Sequence, residues 1–215
     1  MSRYTDALDN LAGEAQATLS QTHAAREQAF PLTRQTIHLC SSAIRAAHRH
    51  DYQRGRTLLE EAREHLQQIA AATRDHQNLY YTGYVSDAQK EYAEAWATLA
   101  FLSGDPLLTH TELGVELAPY LNGIAEAASE LRRSILDALR RDDIAPCDEW
   151  METMDEVYSL LVPLDFPEAI TGGLRRTTDQ LRGVLERTRG DLTMALRQHS
   201  LEQRLAKYEE KTGSA

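Results

Sequence analysis

A chain of 215 residues, 42% of them hydrophobic, can bury a core of its own and reads as a single domain over 1–215 instead of two small ones. Its polar N-terminus holds no apolar run of signal-peptide length, and no segment reaches the roughly 20 apolar residues of a membrane span, so a cytoplasmic protein without membrane contact is expected. A net charge of −10 argues against a nonspecific nucleic-acid coat, which draws on a basic surface to release counterions from phosphate, but leaves room for a local basic face.

Alanine, leucine, glutamate, glutamine and arginine dominate, and no stretch alternates apolar with polar residues long enough to make a strand, so the fold class is all-α. The pattern predicts a first helix over about residues 4–48, bent at Pro31, where a missing N–H and the ring break one turn of the ladder. A second helix follows over about 51–72 with Asp51 as its N-cap, and a third over about 75–102, stopped by Ser103, Gly104, Asp105 and Pro106. A short helical turn at about 108–115 precedes a fifth helix that has Pro119 in its first turn and reaches about residue 141. The sixth spans about 147–161 and ends at Pro163 and Pro167. The seventh runs over about 167–210, loosened at Gly172, Gly173, Gly183 and Gly190, with a frayed tail from Lys211 to Ala215. No repeat of about 20 to 50 residues recurs, so the expectation is a bundle of roughly seven long antiparallel helices and not a solenoid.

Two acidic couplets stand out. Glu91 and Glu94 on the third helix, and Glu126 and Glu130 on the fifth, are each spaced to lie one turn apart on one side of a helix. Carboxylate oxygens with little histidine or cysteine nearby suit a hard cation such as Mg²⁺, with Mn²⁺ the alternative, and such an ion suits phosphate chemistry. On the third helix Tyr81, Tyr84, Ala88, Tyr92, Ala95 and Leu99 form the apolar stripe, with Glu91 about 60° and Glu94 about 120° from its centre, on the flank of Asp87. These three make an acidic edge beside a core, where a half-buried carboxylate needs a proton, a metal or an arginine from a neighbouring helix or subunit. On the fifth helix the stripe Leu117, Leu121, Ile124, Ala128, Leu131 and Ile135 leaves Glu126 and Glu130 on the opposite side with Arg133 and Asp137. Periodicity alone predicts an ordinary solvated face there.

Other candidates are weaker. Cys40 and Cys147 stand far apart without a CxxC and read as buried or idle thiols. Glu61, Glu64 and His65 have no second copy, as a di-iron bundle site would require, and His23, His38, His48, His50 and His76 show no ligand spacing. The chain contains no Gly-rich phosphate loop, nucleophile elbow or HExxH. Apart from Lys90, Lys207 and Lys211, all the cationic side chains are arginines, whose fork suits bidentate phosphate contact, although a biased genome or a salt-rich cytoplasm would produce the same ratio.

The segment from Arg26 to Arg49, an arginine- and hydroxyl-bearing helix closing in His48-Arg49, resembles the opening signature of the translin and Trax proteins. The stretch from Tyr80 to Ala95 resembles the Trax segment whose Glu-x-x-Glu is catalytic, which maps onto Glu91 and Glu94. The stretch from Pro119 to Leu131 is similar to a shared family segment in which Trax has an aspartate and a glutamate four apart, falling on Glu126 and Glu130. The aspartate is glutamate here, one methylene longer, a change that preserves a hard-cation site and can shift the metal. Translin's basic patch is replaced by Thr82, Tyr84 and Asp87.

The resemblance covers nearly the whole chain and is closest to the catalytic, Trax-like branch, of the prokaryotic or archaeal single-paralogue type. It implies a seven-helix bundle in a hollow, roughly octameric shell enclosing RNA, either a homo-oligomer or one shared with a translin-like paralogue. The implied activity is that of a Mg²⁺-dependent endoribonuclease on single-stranded or partly paired RNA, with Glu91, Glu94, Glu126 and Glu130 as metal ligands and catalytic residues. Arg34, Lys90, Arg132 and Arg133 are the candidate RNA contacts. A translin-like RNA-binding scaffold without catalysis is the second reading, and a helical adaptor with a purely structural acidic edge the third.

Overall fold

The computed structural model describes residues 2–212, with side chains as far as Glu209; the predicted fraying at residues 213–215 lies outside the described residues. Nine helices and no strand occur among the described residues: α1 (Thr5–Ala47), α2 (Tyr52–Thr73), α3 (Gln77–Tyr80), α4 (Gly83–Ser103), α5 (His110–Leu113), α6 (Leu117–Arg140), α7 (Cys147–Leu161), α8 (Glu168–Thr171) and α9 (Leu174–Thr212). The fold is the all-α bundle expected, with two of the seven predicted helices each divided in two. None of the described helices is long and apolar enough to cross a membrane.

Local chemistry explains most of the boundaries. The Asp51 carboxylate accepts the Arg54 N–H at 3.2 Å and starts α2. Thr82 sits in extended backbone with φ −79° and ψ 154°, and its hydroxyl donates to the Leu79 carbonyl, so the predicted third helix becomes α3 and α4. Gly104, with φ 76°, closes α4, and a reciprocal capping box between Thr109 and Glu112 makes α5. Gly172 and Gly173 both have positive φ and cut α8 from α9. By contrast α9 runs unbroken through Gly183 and Gly190, so the predicted loosening there does not occur: an isolated helical glycine costs stability without ending the helix. Pro31 likewise lies inside a continuous α1.

The core gathers around α4, which packs against α1, α2 and α6, with α6 backed in turn by α7 and α9. Tyr92, Leu99, Ile124, Leu131 and Ile135 are among its fully buried side chains. Residues of α1 before Thr22 are exposed apart from the half-buried Thr5.

The tightest crossing is that of α4 and α6. A Cβ on Gly123 would lie 2.6 Å from the Lys90 carbonyl oxygen, 2.8 Å from the Glu94 nitrogen and 2.9 Å from the Ala93 Cβ. Two of those atoms are backbone, so a side chain there must push the helices apart. Fully buried Ala93 meets Gly123 across the contact, and fully buried Ala127 follows one turn later on the same side of α6. Gly123→Ala is therefore expected to destabilise the protein by about 1–3 kcal/mol. Gly190→Ala, where an added Cβ meets nothing within 4 Å, should stabilise it by roughly 0.5–1 kcal/mol. Urea denaturation of the two variants checks the opposite signs.

Candidate metal centre

The close crossing at Gly123 sets the α4 couplet against α6. Oxygens of Glu91, Glu94 and Glu126 come within 4.8 Å of one another, the one such grouping of potential metal-ligating residues among those described. Glu94 is the most enclosed, 8% exposed, while the side chains of Glu91 and Glu126 are 26% and 32% exposed. Stripe geometry predicted the reverse order on α4, with Glu91 nearer the core. The reason is that α4 is covered on several sides at once, so the flank carrying Glu94 faces α6 and not solvent. The same crossing overturns the solvated face predicted for Glu126 and Glu130, both of which are half-buried. Asp87 is exposed and stands outside the cluster, adding only its charge to Glu91.

Lys90 sits inside this acidic ring. Its ammonium donates to both carboxylate oxygens of Glu126, at 2.9 and 2.7 Å, and lies 3.5 Å from Glu91. Burial pulls the Lys90 pKa down, but the hydrogen bond and charge of Glu126, with Glu91 and Glu94, outweigh it and leave the pKa raised. Glu130 is turned another way. Its Oε2 accepts from His48 Nε2 at 2.7 Å, and the other ring nitrogen, Nδ1, lies 3.0 Å from Ser134 Oγ; the His48 side chain is only 2% exposed.

Charge within the cluster is only partly compensated. Burial, then the charges of Glu91, Glu126 and Glu130, push the Glu94 carboxyl up to about 9, and burial also raises Glu91. The hydrogen bond from His48 holds Glu130 below the ordinary carboxylate range. Cys40, fully buried, has its thiol pushed far up by burial and by Glu91 and Glu94, which makes it inert; Cys147 is buried as well. Three converging carboxylates, one of them forced toward its neutral form, are a donor set that fits a hard divalent cation, and Lys90 shows that a positive charge is already accommodated there.

The candidate RNA contacts are dispersed. Arg133 is exposed and shares an open depression with Ser129, Glu130 and Asp137, its charge helping to lower Glu130. Arg132 braces α6 to α9, donating to Thr188 Oγ1 at 3.2 Å and pairing with Asp191 at 2.8 Å. Arg34 is exposed in a depression between α1 and α2 with His38, Glu61 and His65, and none of the four glutamates lines it. A larger depression beside Phe166, Glu168 and Arg175 also contains none of them. Among the residues of the centre, sequence reasoning missed His48: it closes the segment that resembles the family's opening signature, but its partners lie 82 and 86 residues away.

No family model matches the chain. An uncharacterised protein of Methanocaldococcus jannaschii is 26% identical over 196 residues, 89% of this chain and 85% of that protein. Among solved structures, AfC3PO in complex with duplex RNA is similar with a TM-score of 0.80 and 30% identity, over 86% of this chain and 95% of the other. A crystal structure of AfC3PO gives 0.79 and 31%, over 86% and 96%. The chain belongs to the translin/Trax family. Apo-NeC3PO, at 21% identity and a TM-score of 0.70 over 87% and 96%, shares the translin/Trax fold.

The electrostatics of this family member have a measurable sign. Glu94 and Glu91 bind their protons more tightly folded than unfolded, so their stabilising contribution is full below the ordinary carboxylate pKa and is lost as pH rises, for Glu94 through about 9. Glu130 acts oppositely, contributing above its ordinary pKa and losing that contribution as pH falls. In EDTA, the melting temperature is expected to drop between pH 6 and pH 9.5, and Glu94→Gln should remove most of that drop. An equal drop in the variant would assign the pH dependence to other groups.

Proposed function

We propose that the protein is a Trax-like, metal-dependent endoribonuclease that binds and cleaves single-stranded or partly paired RNA within an oligomeric shell. The observation that carries this reading is the convergence of Glu91, Glu94 and Glu126 oxygens within 4.8 Å, from two helices locked at a glycine crossing. RNA as ligand is supported by the similarity to AfC3PO, described in complex with duplex RNA. A multi-subunit assembly is supported by large apolar side chains left exposed in one protomer, including Leu8, Leu11 and Leu19 on α1 and Phe166 and Ile170 beside α8.

In this reading Glu91, Glu94 and Glu126 hold Mg²⁺, or Mn²⁺, and Glu130 closes one side of the centre. Such a cation, when bound, supplies Lewis-acid polarisation of the scissile phosphodiester. With a cation on Glu126, the Lys90 ammonium that now donates to this carboxylate would be available to a phosphate oxygen. Arg133, exposed beside Glu130, contacts the RNA backbone and Arg34 adds an exposed basic contact on α1, whereas Arg132 is already engaged by Thr188 and Asp191.

One observation favours a non-catalytic RNA-binding scaffold instead: Lys90 already neutralises part of the cluster, as a structural ion pair would. Incubation of labelled RNA with the protein in Mg²⁺ or in EDTA separates the two. A nuclease cuts in Mg²⁺ alone, and Glu91→Gln and Glu126→Gln should then lose at least the ten- to hundredfold that altering even an outer partner of a metal ligand costs. An intact strand in both conditions, with binding retained, would establish the scaffold. Arg133→Ala is expected to weaken RNA binding and flatten its salt dependence by roughly one phosphate contact, a slope change of about 0.9. An unchanged salt titration would put the RNA path elsewhere.

A further inference from the structure

Glu130 stands apart from the other three carboxylates because His48 holds it. The imidazole comes from the C-terminal end of α1 and bridges one turn of α6: Nε2 meets Glu130 Oε2 at 2.7 Å while Nδ1 meets Ser134 Oγ at 3.0 Å. A carboxylate only accepts, so Nε2 carries a proton and Oε2 is committed to it. With a side chain 2% exposed and both nitrogens engaged, the ring cannot turn away without stranding a buried donor, a cost that water does not repay. Yet Glu130 is near enough for its charge to be felt at Glu94.

We propose that His48 is a positioning residue that divides the four carboxylates into three that take the cation and one, Glu130, that is kept outside the ligand set. The clamp leaves the charge of Glu130 beside the centre but holds its carboxylate turned aside, so that neither oxygen joins the 4.8 Å grouping of Glu91, Glu94 and Glu126. Three ligands instead of four leave more of the cation's coordination sphere open to water and substrate, the condition a working centre needs. His48 thus acts on the centre through Glu130 and not by ligation.

This inference rests on the metal-centre reading, and Mn²⁺ binding to the purified protein, followed by calorimetry with no RNA present, tests both. The wild-type protein is expected to bind Mn²⁺, and Glu126→Gln to lose at least about tenfold in affinity, whereas Glu130→Gln, which removes a neighbouring charge but no ligand, loses clearly less. His48→Leu fills the site without a donor and frees Glu130 to join as a fourth carboxylate, so Mn²⁺ should bind about three- to tenfold more tightly, the direction that a higher ligand charge count gives. His48→Gln keeps an N–H for Oε2 and should restore wild-type affinity, and His48→Leu combined with Glu130→Gln should cancel the gain. A merely structural histidine would not tighten metal binding when removed. A loss in Glu130→Gln as large as that in Glu126→Gln overturns the clamp and makes Glu130 a direct ligand, and this arm decides the matter even where His48→Leu does not fold. Absence of Mn²⁺ binding by the wild-type protein would instead remove the metal centre itself.

Discussion

The contact of α4 with α6 at Gly123 is the constraint on which the rest of the molecule turns. Helices ordinarily stand about 8–10 Å apart, held off by their side chains. Here the missing Cβ lets the backbone of Lys90 and Glu94 come against α6, with the small side chain of Ala93 facing the glycine. The glutamates on those two helices therefore project into one small space. Close packing fixes the backbone positions from which these carboxylates start, and so keeps the like charges near one another.

Four acidic side chains at that crossing demand compensation, and the chain provides it asymmetrically. Lys90 takes both oxygens of Glu126 and reaches Glu91, His48 takes Glu130, and Glu94, the deepest, is left to hold a proton. Two of these compensations are tied to rigid elements: the proton by burial, the imidazole by its two hydrogen bonds across a turn of α6. The ammonium, on its flexible stem, is the one compensation not fixed in this way.

The helices themselves were largely legible in the chain's local chemistry. Asp51, Pro119, Gly104 and the glycine pair at 172 and 173 act within a turn of where they stand, so their effects on the backbone are local and readable. Where the reading departed from the structure the cause was equally local but ambiguous. Thr82 breaks a run that its neighbours would have continued, while Gly183 and Gly190 fail to break one, because a glycine within a helix costs energy but imposes no turn.

The candidate centre divides along the same line. Spacing of three and four residues already paired Glu91 with Glu94 and Glu126 with Glu130, because helical periodicity is a property of one element, and likeness to a known family joined the two couplets. Burial was different: a single-helix stripe treats one face as core and the other as solvent, but α4 and α6 are each covered on more than one side, which encloses Glu94 and half-buries Glu126 and Glu130. His48, 82 residues from Glu130, and Lys90, drawn inward to Glu126, acquire their roles only when α1, α4 and α6 meet. The chain by itself determined which residues share a helical face and where the backbone must turn, since those depend on near neighbours. The tertiary structure decided which faces meet, and hence which charges are buried and which partner answers each one, since those depend on distances that no local pattern encodes.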